Sequence, residues 1–165
     1  MNVNELIKEA MLGYKQAQES DKTAAKKRID ILKLVKTAFM EYATNKKNAT
    51  QFDEADDVSV RITKIDELQQ NKIIEDMIKV RKNNVKTYSE VGRSELANNE
   101  QDEIDVLETL LPKAATEEDI VEYLKQYYPN GTEKKFMGAI IKEVKSAFER
   151  VDGSLVSKCV MSIVS

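Results

Sequence analysis

Histidine and tryptophan are missing from this 165-residue sequence, and cysteine occurs once, at Cys159. Without histidine there is no imidazole base near neutral pH, no histidine zinc ligand, and no Ser-His-Asp or Cys-His constellation. A single cysteine excludes an intrachain disulfide, so nothing ties folding to an oxidising compartment. Cys159 falls on the apolar stripe of the last expected helix, where burial keeps a thiol protonated and inert. Glycine (5) and proline (2) are scarce. The glycines are too scattered for a phosphate-cradling loop, and a shortage of both breakers favours helix throughout. No apolar run approaches the roughly 18 residues of a membrane span. The stretch from Met1 to Glu5 lacks the basic start and apolar core of a secretory signal, so the expected location is cytoplasmic. Asp53, Glu54, Asp56 and Asp57 suggest a calcium loop at first sight, but the required glycine and terminal glutamate are absent. Neither a metal nor a cofactor is expected, and catalysis is not.

What is present is charge and helical periodicity. Charged residues make up 33% of the chain, with a net charge of −3. Leu6, Ile7, Ala10, Met11 and Tyr14 recur at helical spacing and predict a first helix near 2–18. Ile29, Leu32, Val35, Phe39 and Tyr42 carry a second over 21–44, with Ser20-Asp21 as its cap. The segment 45–57 is polar and aperiodic and reads as a loop. Val58 to Ile62 alternates like a strand, but a lone strand is unstable, which leaves helix or coil. Helical spacing resumes from Asp66, and Gly92 is placed to end that helix in a left-handed conformation. Ser94 is the expected cap of the next, which stops at Pro112. Thr116 to Asp119 forms a capping-box pattern opening a helix to about Tyr128. The turn Pro129-Asn130-Gly131 leads to a helix over 132–148, and Asp152 caps the last helix. Gly138, inside a helix, predicts a close helix crossing. The fold class is therefore all-α: an N-terminal helical domain over 1–112 and a three-helix domain over 113–165.

Basic residues cluster in 22–47, in 72–93 and in 134–158, while 90–108 is acidic. A basic helix face can neutralise phosphates and release counterions, and a solvated face is the plain alternative. Gly153 would let a phosphate approach the amide groups that open the last helix.

Two runs of residues carry a family resemblance. The first is Arg81-Lys82, Tyr88, Gly92-Arg93-Ser94-Glu95-Leu96, Glu100, Glu103, Leu107 and Leu110-Leu111-Pro112. The second is Met137 to Lys145 followed by Arg150 to Ser157; Ile31 to Lys36 adds an early helix. In this order they resemble the GatB/YqeY family over residues 5–165. The sequence departs from the pattern at Glu95 (more often Asp), at Leu110 (often Tyr) and in a longer segment over 45–65.

The resemblance implies a stand-alone protein whose tail is similar to the C-terminal domain of the tRNA-dependent amidotransferase B subunit. It implies an RNA-binding accessory, for tRNA, with Lys134, Lys135, Lys142, Lys145, Arg150, Gly153 and Lys158 as the tail contacts. Arg81, Lys82 and Arg93 are candidate contacts in the first domain. An aminoacyl-tRNA synthetase or an amidotransferase is the implied protein partner, and no membrane is. Two alternatives stand beside this: a module docking on a synthetase or translation component, through Tyr127-Tyr128 or the acidic helix after Ser94, and a subunit of a glutamine-dependent amidotransferase.

Overall fold

A computed structural model describes residues 1–164 and is all-α. It divides into two compact units, Met1–Leu111 and Pro112–Ser165.

The first unit holds α1 (Val3–Gln16), α2 (Lys22–Thr44), α3 (Val58–Thr63), α4 (Glu67–Glu90) and α5 (Ser94–Glu108). The spacing of Ile31, Val35 and Phe39 puts one stripe of α2 inward, against Ile74 and Ile78 of α4 and Ile104 and Leu107 of α5. α4 ends in a Schellman turn: the N–H of Gly92, at φ +70°, donates to Ser89 O, and that of Arg93 to Tyr88 O. This turn overturns the expected cap. Arg93 closes α4 and its carbonyl accepts the first bond of α5 from Ala97, which leaves Ser94 inside the helix with no capping role. Asp21 likewise makes no capping bond. Its backbone is helical (φ −100°, ψ −9°) because a short 3₁₀ turn, Glu19–Asp21, precedes α2, whereas a capping side chain needs an extended residue.

The segment expected as a loop is folded. Lys46–Gln51 forms a 3₁₀ turn, Phe52 enters the core, and Arg61 binds the carbonyls of Asp53 and Asp56 at 3.2 and 3.0 Å. Asp57 caps α3 through Val60 N, so the alternating stretch is a helix.

The second unit holds α6 (Glu117–Tyr127), α7 (Met137–Ala147) and α8 (Gly153–Met161) around Ile120, Leu124, Ile140, Val144, Val156, Cys159 and Val160. Both halves of the Thr116–Asp119 capping box form. Gly131 sits at φ +72°, and a Cβ there would lie 2.7 Å from the carbonyl oxygen of Ile163. Thr132 N donates to that same oxygen and pairs with Val164 in an isolated bridge. Since the backbone of Thr132 is committed to this pairing, α7 begins at Met137 after a 3₁₀ turn, Lys134–Phe136, and not at 132. Gly138 is not at a helix crossing: no atom lies within 4 Å of where its Cβ would be. Among the described residues no helix is long and apolar enough to cross a membrane, and no group of side chains is arranged to hold a metal ion.

Candidate nucleic-acid interface

α7 buries Ile140 and Val144 and leaves Lys142 and Lys145 exposed one turn apart. Glu143 lies between them in sequence but points elsewhere. Its two carboxylate oxygens accept from Tyr123 (3.0 Å) and Tyr128 (2.7 Å), and it forms no ion pair with either lysine. The bond to Glu143 pushes the Tyr128 phenol up to about 12, and burial, with the same carboxylate, raises that of Tyr123. Lys134, Lys142 and Lys145 make no ion pair with any described residue.

Lys145 reaches the amino end of α8. A Cβ on Gly153 would meet the Lys145 Nζ at 2.9 Å and its Cε at 3.1 Å, so a residue without a side chain makes room for this approach. An ammonium group beside the positive end of a helix is electrostatically unfavourable by itself. Asp152 offsets part of it while accepting from Ser154 N and Leu155 N, both at 2.8 Å.

Three other cations of the second unit are engaged. Lys158 donates to both oxygens of Glu117 (3.0 and 3.1 Å), a bond that raises its pKa. Lys135 pairs with Glu133 at 2.8 Å and lies over the ring of Phe136. Arg150 straps the segment before α6: its Nη1 donates to Pro112 O, and its carbonyl accepts from Ala115 N. In the first unit Arg81 donates to Glu103 at 2.8 Å and to Met77 O, with its side chain only 13% exposed. Lys82 is 3.9 Å from Glu108, and Arg93 is exposed in the turn between α4 and α5. The structure thus brings together Lys142, Lys145 and Gly153, and commits Lys135, Arg150, Lys158 and Arg81 to intramolecular partners.

The family model for YqeY-like proteins matches residues 5–164. The chain belongs to this family. A comparison with curated proteins found no match. The match runs through both units of this YqeY-like chain. Cys159, its one thiol, is buried at 3% exposure in the second core, and burial raises its pKa, so it is neither accessible nor ionised at neutral pH.

The tyrosine pair was not legible as a site. Tyr123 and Tyr128 are visible in sequence, but Glu143 lies 20 and 15 positions away, on another helix.

Proposed function

We propose that the second unit of this YqeY-like chain holds RNA, with tRNA the class that the family likeness implies. It acts in the cytoplasm as an accessory that grips the polyanion without transforming it, and an aminoacyl-tRNA synthetase or amidotransferase is the fitting companion. The observation that supports this reading is the placement of Lys145 beside the start of α8 and one turn from Lys142, neither ion-paired with any described residue, with Gly153 keeping the approach open. Lys134, with no ion pair to any described residue, adds a third ammonium group. Three phosphate contacts would lower affinity roughly 20- to 40-fold between about 50 and 200 mM salt.

The test is a gel shift with total tRNA at low salt. Lys142→Glu with Lys145→Glu is expected to weaken the complex by at least about tenfold. Lys135→Gln and Lys158→Gln, which remove charges already answered by glutamates, are expected to change it by less than about threefold. Absence of any complex, or equal losses from both pairs of variants, contradicts the reading.

A further inference from the structure

α1 and α2 pack side by side, and near their connection they leave a shallow groove in the first unit. Met11, Tyr14 and Ile29 form an apolar floor, with Lys15, Lys26 and Lys33 around it. Met11 is 47% exposed there. Asp30 is the one acidic residue lining the groove, 3.9 Å from Lys33. Lys15 and Lys26 have no ion pair with any described residue. The basic stretch of α2 is therefore only partly used within the fold. Lys22 pairs with Glu19 and Lys27 with Asp102, and Arg28 donates to Thr109, but Lys26 does not share in these contacts.

We propose that this groove docks an acidic amphipathic helix of another protein. An apolar floor requires apolar side chains from the occupant, which a nucleic-acid backbone does not offer. The lysines around it require carboxylates on the flanks of those side chains. Two neighbouring helices present a ready surface for ridges-into-grooves packing of a third. Lys26 and Lys33 stand two turns apart, about 10 Å along α2, a spacing that carboxylates two turns apart on a partner helix can match. The chain's own acidic helix is a poor occupant from a second copy, because Asp102, Glu103 and Glu100 are already bonded to Lys27, Arg81 and Asn84.

The probe is a fluorescein-labelled helical peptide with leucines at i, i+3, i+4 and i+7 spacing and glutamates on both flanks. Fluorescence anisotropy with the full chain is expected to give saturable binding. Lys15→Glu with Lys26→Glu, and separately Met11→Asn, should each weaken it by about tenfold or more with an unchanged helical CD spectrum. Lys142→Glu with Lys145→Glu should bind the peptide like the wild type, and Lys15→Glu with Lys26→Glu should keep its tRNA affinity, so this proposal and the RNA reading fail separately. Three results would overturn it: no saturable binding, equal binding of the same peptide with lysines in place of glutamates, or a self-associated chain that Met11→Asn converts to monomer.

Discussion

Two glycines of the second unit, one in a turn and one in a helix, respond oppositely to an added methyl group. Gly131 has a left-handed backbone and faces the Ile163 carbonyl at a distance no Cβ tolerates. Gly131→Ala should cost about 2–3 kcal/mol, read from urea midpoints. Gly138 has a helical backbone and open space, so Gly138→Ala should stabilise by up to about 1 kcal/mol. Asp119 gives a pH signature. Hydrogen bonds from the Thr116 backbone and hydroxyl hold its carboxyl below the usual 3.8. A lowered folded-state pKa means that its contribution is complete above the unfolded value and disappears as pH falls through the lowered one. Asp119→Asn should therefore melt below the wild type at neutral pH, with the gap closing as pH falls through the lowered value. Features set by near neighbours were legible at this scale: the caps at Thr116 and Asp152, the left-handed Gly92 and the buried Cys159. The partner of Lys158 was not, since Glu117 lies 41 positions away and meets it only after folding.

At the level of elements, helical periodicity located the long helices, because each buries a continuous stripe. It failed where one residue does the anchoring. Phe52 stands alone between polar residues and produces no period, yet it is buried in the first core at 8% exposure. A 3₁₀ turn precedes it, and Arg61, whose guanidinium lies over the Phe52 ring, binds the carbonyls that follow it. Phe52→Ala should cost about 3 kcal/mol in equilibrium unfolding, and proteolysis should then cut within 45–57 well before global unfolding. A loss under about 1 kcal/mol with unchanged protection would mean that the segment is held by its polar contacts. The start of α7 was misplaced for a related reason. The bridge between Thr132 and Val164 joins residues 32 positions apart in the numbering, and no local propensity reports it.

For the whole molecule, sequence gave the inventory of charge but not its use. The net charge of −3 offers no general attraction for a polyanion. On α7, Lys142 and Lys145 have no ion pair with any described residue, while charged neighbours have partners: Glu143 in two tyrosines, Lys158 in Glu117 and Lys135 in Glu133. Such selectivity depends on the directions in which α6, α7 and α8 present their side chains. The most direct measurement is the slope of log affinity for tRNA against log salt concentration. The wild type should give a slope of about −2 to −3, and Lys142→Gln with Lys145→Gln should reduce its magnitude by nearly two, while Lys135→Gln with Lys158→Gln leaves it in place. A flat wild-type slope, or one that removal of Lys142 and Lys145 does not change, would contradict the assignment of this surface to RNA.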